Sequence, residues 1–519
     1  MFYLSNFFNW LNFQLSSEFG TLLDILIWLP IIGAFVVMML FNSDKRSLIA
    51  RWVALIFAIV TFLFSILLYM NFNAESDKMQ FLQNVNWIPL LNAKYALGVD
   101  GISVLFIILT SFTTVIIILG AWKTINVKVA QHMTIFLMTC GITNGVFAAM
   151  DSLLFYVFWE ASLIPMTLAI GIWGGQNRVY AAMKFFLYAF FGSVFMLVAI
   201  LYLHVKTNSF MIQDFYNLNL PVEVQWMLTL AFWIAFAVKV PMWPVHTWLP
   251  DAHTEAPAGG SVVLAALMLK MGAYGFIRFS LPMFPEIHMT IDEFLIILSL
   301  IAIVYVGIAS IVQKDAKRLI AYSSISHMGI VTLGIFSVFL IFVKTGHSDS
   351  ALLGVQGAVF QMIAHAFSSG GLFIGVSFLS ARMKTRMIDE YQGVAFSMPI
   401  FAAFFMLFCM ANVGLPGTSG FVGEFLVILG VFKASPLLAL IAGLTLILAP
   451  AYTLWMYKRV IFGKVRNPKI AAMKDISGVE ILVFVLLAIP TIWFGIYPEP
   501  ILHLSQAASN GFIQYLNIH

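Results

Sequence analysis

Ala235-Phe236-Ala237-Val238-Lys239-Val240-Pro241-Met242-Trp243-Pro244 sets one ammonium group inside an apolar run and then breaks the run with two prolines. The chain around it has 519 residues, 61% of them hydrophobic and 10% charged, with a mean hydropathy of +0.97. A soluble chain of this length would divide into several globular domains with far more charge. The composition therefore predicts one polytopic membrane domain with Lys239 in the bilayer. A lysine at the centre of a membrane helix costs roughly 2.5–3.5 kcal/mol on insertion scales, and such residues usually line ion or substrate paths.

Outward from this stretch, apolar runs recur along the whole chain. Fourteen spans of about 20 residues, enough for a ~30 Å hydrocarbon core, are predicted at 22–42, 50–70, 101–121, 131–150, 153–172, 179–203, 226–249, 261–281, 293–312, 319–342, 355–380, 397–430 (interrupted), 437–457 and 478–497. Near-unbroken Ile/Leu/Val/Phe runs predict helices, because strands of an outer-membrane barrel would alternate apolar and polar residues. The expected fold class is an all-α integral membrane protein.

Charge placement tests this count. Alternate loops, beginning with 43–52, hold Lys45, Arg46, Arg51, Lys123, Lys128, Arg178, Lys184, Lys314, Lys317, Arg318, Arg382, Lys384, Arg386, Lys458, Arg459, Lys464, Arg466, Lys469 and Lys474. The opposite loops hold only Lys78, Lys94, Lys206, Arg278, Lys344 and Lys433. The positive-inside rule puts the first set in the cytoplasm and both termini outside. Of the 27 basic residues, Lys239 and Lys270 are left over, and of the 23 acids only Glu160 and Glu424 lie well within predicted spans. A bilayer anchor needs none of these four.

The net charge of +4 follows topology and says nothing of nucleic acid. The two cysteines, Cys140 and Cys409, lie in apolar runs, and no CxxC or Cys/His cluster supports a disulfide framework, a zinc site or an iron–sulfur cluster. No redox cofactor is expected in this chain. Met1 to Leu22 lacks the basic n-region and cleavage site of a secretory signal, so the first span is expected to insert the chain directly.

Pro241 cannot donate to the carbonyl of Ala237, nor Pro244 to that of Val240. Both carbonyls are expected to flank the ammonium, which reads either as a proline kink with a satisfied lysine or as a titratable group on a broken helix, as in ion-coupled transporters. Glu424 lies in Gly414-Leu415-Pro416-Gly417-Thr418-Ser419-Gly420-Phe421-Val422-Gly423-Glu424-Phe425; the alternative there is a glycine-rich packing interface. Helix breakers in two spans five apart point to an internal repeat. Glu160 (Phe155-Tyr156-Val157-Phe158-Trp159-Glu160-Ala161-Ser162) and Lys270 (Leu267-Met268-Leu269-Lys270-Met271-Gly272) complete the set. Burial penalises the charged form of each, whereas a nearby opposite charge favours both ionised forms. A Glu160–Lys239 ion pair would couple the protonation of two sites; a purely structural pair is the alternative. His327 and His365, in consecutive spans, suit a proton relay because imidazole both donates and accepts; each also fits a hydrogen-bonded core histidine. His246, His253 and Glu255 match no standard metal motif and read as a span end and polar loop.

These residues carry a family resemblance. Leu97-Gly98-Val99-Asp100-Gly101-Ile102-Ser103, Trp159-Glu160-Ala161, Lys239-Val240-Pro241 with His246-Thr247-Trp248-Leu249-Pro250-Asp251-Ala252-His253, Ala321-Tyr322-Ser323-Ser324-Ile325-Ser326-His327 and Gly414-Leu415-Pro416-Gly417 stand in this sequence. Together they resemble the antiporter-like proton-pumping membrane subunits of respiratory complex I, the NADH:quinone oxidoreductase, and most closely the chain M (mitochondrial chain 4) class. The resemblance runs over roughly residues 95–460 and leaves 1–20 and 458–477 without a role.

The resemblance implies two five-helix units of inverted topology, with discontinuous helices at spans 7 and 12. The corresponding division is 1–130 (helices 1–3), 131–281 (first repeat), 293–457 (second repeat) and 458–519 (cytoplasmic loop and helix 14). It also implies that Glu160 and Lys239 form a proton-input pair, that Lys270 is the central relay extended by His327 and His365, and that Glu424 is the exit-side site. Related antiporter-like chains usually carry lysine at the position of Glu424, and this departure favours the chain M class. NADH, FMN, iron–sulfur clusters and quinone would lie in partner subunits, both membrane and peripheral, with this chain in the lipid bilayer of a bacterial inner membrane rather than a mitochondrial one. Moving one charge against 100 mV requires about 2.3 kcal/mol, within reach of buried charge pairs. The rivals are a subunit of a multisubunit cation/proton antiporter or membrane-bound hydrogenase, a stand-alone solute transporter, and a structural scaffold that would leave the four charges unexplained.

Overall fold

The computed structural model describes residues 22–41, 46–216, 218–465 and 467–517. Among these, twelve helices are long and apolar enough to cross a membrane: Leu22–Phe41, Ser47–Asn71, Gly101–Gly120, Ser152–Trp173, Arg178–Thr207, Val222–Lys239, Ala258–Met283, Pro285–Ile311, Ala316–Thr345, Ser348–Met383, Pro436–Ile461 and Val479–Ile496. The protein is thus a helical membrane protein, as the apolar runs require. Lys45, Arg466 and the segment 1–20 lie outside the described residues.

The remaining two predicted spans are also helical. Val129–Ala148 is a helix of 20 residues diluted by Gln131, His132, Thr134, Thr139, Thr143 and Asn144. The interrupted span is the pair Pro399–Val413 and Ser419–Ala434. At about 1.5 Å per residue, neither member alone covers a ~30 Å core. The predicted 293–312 span starts earlier, at Pro285, because proline suits the first helical turn, where its missing N–H is not needed.

Two elements have no counterpart among the predicted spans. Gln80–Ile88 and Ala93–Val99 form an antiparallel hairpin, with Gln83 opposite Leu97 and Val85 opposite Tyr95, turned at Asn92 in the left-handed region (φ 51°). Glu499–Asn517 is a further helix that packs against Gly101–Gly120 and Ser348–Met383. Its approach requires Gly101, since a Cβ there would stand 1.8 Å from the Leu504 carbonyl oxygen.

The helices sort by depth. The apolar windows of Ala258–Met283 and Ser348–Met383 are 100% buried, against 39% for Arg178–Thr207 and 33% for Pro436–Ile461. The helices that carry Lys270 and His365 are therefore enclosed by the others, whereas that of Lys239, at 44%, keeps an outer face. Small residues set the spacing, as in other membrane helix pairs. A Cβ on Gly423 would lie 2.6 Å from the Gln361 backbone nitrogen, and one on Gly272 would lie 2.8 Å from the Phe236 carbonyl oxygen.

Candidate functional site

Lys239 is the last residue of Val222–Lys239 and is 1% exposed. A helix C-terminus favours a cation. Its ammonium also lies 4.9 Å from the Trp159 ring centroid and 3.4 Å from Ser162 Oγ. The proline break works differently from the expectation. Met242 N–H donates to the Ala237 carbonyl at 2.8 Å, and the Trp248 indole N–H donates to the Val238 carbonyl at 2.8 Å. The carbonyl that Pro241 abandons is thus taken by the backbone one residue further on, and the indole face and Ser162 hold the ammonium instead.

Glu160, at the C-terminal end of Ser152–Ala161, is half-buried. It is an electrostatic neighbour of Lys239, without a direct ion pair among the described residues. Among the described residues its buried Oε1 has no hydrogen-bond partner. The expected contact pair is therefore an electrostatic neighbourhood without contact.

Lys270 is fully buried on Ala258–Met283. A π turn over Leu264–Met268 precedes it, so that Leu269 N–H donates to Leu264 rather than to Ala265. Such turns are frequent at functional sites. The Ala265 carbonyl so released accepts from Lys270 Nζ, whose second partner is His365 Nδ1 at 2.8 Å. The sequence reading did not anticipate this backbone acceptor.

From His365 the line continues to His327, with ring centroids 5.8 Å apart. His327 Nδ1 lies 2.7 Å from Glu424 Oε1, which also accepts from Gln361 Nε2 at 3.1 Å. Gln361 was missed in the sequence, although it stands one turn before His365 on the same helix face. Glu424 is 1% exposed, in the second half of the broken span beyond Gly414 (φ 78°) and Gly417 (φ 90°). It lies inside the protein, directly beside the glycine-packed contact of Gly423 with Gln361. His365 Nε2, His327 Nε2, Gln361 Oε1 and Glu424 Oε2 are buried atoms without a hydrogen-bond partner among the described residues. Uncommitted capacity of this kind is costly for a purely structural network. Among the described residues no hydrogen bond links Lys239 to Lys270; close packing at Gly272 joins their helices instead.

Three sequence-level assignments change. His253 and Glu255 are not in a polar loop: they lie on the helix Trp248–Glu255, with His253 fully buried and stacked 4.5 Å from Phe373. Lys317, counted as a loop charge, is 4% exposed and donates to the Ala256 carbonyl at 2.7 Å. The buried charges are accordingly more numerous than four, since Asp100, Asp151, Glu255, Asp292 and Glu480 are buried as well. Lys317 and Asp292 are carried inward by helices that reach past the predicted spans, whereas Asp100 and Asp151 are buried as N-caps. Among the described residues, no group of three His, Cys, Asp or Glu side chains could hold a metal ion.

The fold and this line of buried groups define a class: polytopic membrane proteins with titratable residues running through their interior. The family model described as "NADH:quinone oxidoreductase/Mrp antiporter, TM" matches residues 149–449. NADH-quinone oxidoreductase subunit M of Rhodobacter capsulatus is 47% identical over 496 residues, covering 92% of this chain and 93% of that one. NADH-ubiquinone oxidoreductase chain 4 of Marchantia polymorpha is 40% identical over 503 residues, covering 97% and 99%. A chain of respiratory complex I from Thermus thermophilus with bound NADH superposes with a TM-score of 0.85 at 30% identity, covering 95% of this chain and 99% of that one. The chain belongs to the subunit M (chain 4) family, membrane subunits of the proton-translocating NADH:quinone oxidoreductase.

Proposed function

We propose that protons cross this subunit through Glu160, Lys239, Lys270, His365, His327 and Glu424. The observation that carries the reading is the chain of contacts Lys270–His365 at 2.8 Å, His365–His327, and His327–Glu424 at 2.7 Å, joining a lysine on one helix to a carboxylate beyond a break in another. Glu160 and Lys239 form the input pair, with Ser162 beside the ammonium. Lys270 is the central relay, the two imidazoles extend it, and Glu424 releases the proton on the exit side. Electron transfer from NADH to quinone in partner membrane and peripheral subunits, which hold the FMN and iron–sulfur clusters, drives the movement. This chain supplies the proton-conducting groups and no redox centre.

In this reading the chain has fourteen spans, counting Val129–Ala148 and the broken pair as one each. Spans 7 and 12 are the discontinuous members of two inverted five-helix units over 131–281 and 293–457. The basic loops face the cytoplasm of a bacterial inner membrane, and both termini face outward. Replacing Lys239 by alanine in the assembled complex tests the proposal. Proton pumping and quinone-coupled turnover should be lost; retention of both would overturn it.

A further inference from the structure

Ser280, His288 and Asp292 form a buried relay outside the line that ends at Glu424. Ser280 Oγ lies 2.9 Å from His288 Nε2, and His288 Nδ1 lies 2.7 Å from Asp292 Oδ1. The three residues are 0%, 0% and 2% exposed. Ser280 comes from the last turns of Ala258–Met283; His288 and Asp292 share one face of the next helix at i, i+4. The order resembles that of a hydrolytic triad, but no acyl substrate reaches a hydroxyl this deeply sealed. The chemistry left to it is that of a proton.

With Asp292 ionised and His288 neutral, the relay carries one net negative charge, and among the described residues the buried Asp292 Oδ2 has no partner. Nor does a cation among the described residues of the packed elements compensate it. Arg278 is held by Asp100 at 2.6 Å. Glu286 and Glu293, on the same helix, are exposed. Val222–Lys239 has charges only at its ends, Glu223 and Lys239, and Pro436–Gly443 has none. Ala316–Thr345 has Lys317, Arg318, His327 and Lys344, but it is Phe336 that stacks near the imidazole, at 6.3 Å. A bare charge in such a place costs several kcal/mol, and one added proton removes it. Two turns further along the same face, Ser299 lies 2.8 Å from Thr332, in a small void shared with Val240 and Pro241. That helix face therefore runs from the break after Lys239 towards the relay, about 10 Å of helix apart.

We propose that Ser280, His288 and Asp292 form a second proton-holding site, at the end of the membrane domain that charge asymmetry assigns to the outside. Uptake at His288 Nε2 gives an imidazolium between two acceptors, Ser280 Oγ and Asp292 Oδ1. No covalent bond to carbon forms or breaks, and release returns the neutral ring. The use of this proton in pumping rests on the proposed function, but its binding does not.

The test is a pH-induced infrared difference spectrum of the assembled complex in membranes. Wild type should show imidazole ring bands that His288→Gln loses, together with a shifted carboxylate band that Asp292→Asn loses, and the volume-conserving Ser280→Ala should displace both. Spectra of Asp292→Asn and Ser280→Ala superimposable on wild type would overturn the site. Pumping retained in Lys239→Ala with the Asp292 band present would instead refute the main path and leave this site standing.

Discussion

His327 Nδ1 and Glu424 Oε1 are 2.7 Å apart although 97 residues separate them in the chain. One oxygen of the carboxylate takes both the imidazole and the Gln361 amide, while the other takes nothing. Glu424→Gln keeps the shape and an acceptor but removes the charge. Native gels should show normal assembly, and dye-quench measurements on inverted vesicles should show proton pumping abolished. Glu424→Ala also strands His327 and Gln361, at about 1–3 kcal/mol for each unpaired group. It should therefore melt below Glu424→Gln in a thermal unfolding series.

Lys270 separates function from stability in the same way. Lys270→Met keeps the length of the side chain and removes the cost of burying an ammonium, but it strands the Ala265 carbonyl and His365 Nδ1 at about 1–3 kcal/mol for each unpaired group. The complex should assemble with a melting temperature no higher than that of Glu424→Gln while pumping is lost. His365→Ala leaves the ammonium with the Ala265 carbonyl alone and should lower the melting temperature. A pumping Lys270→Met complex would remove Lys270 from the path.

Pro241→Ala restores a backbone N–H that competes with Met242 for the Ala237 carbonyl. The helix should then continue past Lys239 and carry the ammonium off the Trp159 ring. Loss of that contact, worth about 0.5–2 kcal/mol, corresponds to roughly a two- to thirtyfold slower step. Initial pumping rates in vesicles with matched complex content measure it. An unchanged rate would mean that the break does not position Lys239.

Gly101→Ala drives a Cβ against the Leu504 carbonyl, where the obstacle is backbone and does not rotate away. Overpacking of this kind costs about 1–3 kcal/mol. The C-terminal helix should be displaced, and limited proteolysis should clip it faster. Gly443→Ala, with nothing within 4 Å of the new Cβ, is the control and should leave the cleavage rate unchanged.

Much of the architecture was legible because membrane spans are written in one dimension: an apolar run of sufficient length is a helix. Lys239, Lys270, Glu160 and Glu424 stood out by the same logic, as charges with no loop to hold them. What the sequence hid were partners set by three-dimensional closeness. Gln361 is one uncharged polar residue in the apolar run Ala358 to Ala364 until Gly423 lets two helices touch. The Ala265 carbonyl is released by a π turn that leaves no mark in composition. Asp292 fell one residue outside the predicted 293–312 span and so escaped the count of buried charges, because the helix begins at Pro285. The Gln80–Val99 hairpin was legible only in the alternation of Asn84, Val85, Asn86 and Trp87, too short a signal beside the long apolar runs.

The packing of Glu499–Asn517 on Gly101–Gly120 also bears on biosynthesis. Ribosomes emit the chain from its first residue, so the face around Gly101 enters the membrane long before its cover has been made. Nearly four hundred residues, those between Gly101 and Glu499, are synthesised in the interval. A segment made that much later thus closes a contact that the early chain leaves waiting. A message truncated shortly after Ile496 would yield a protein with the twelve long apolar helices in place and this seam still open.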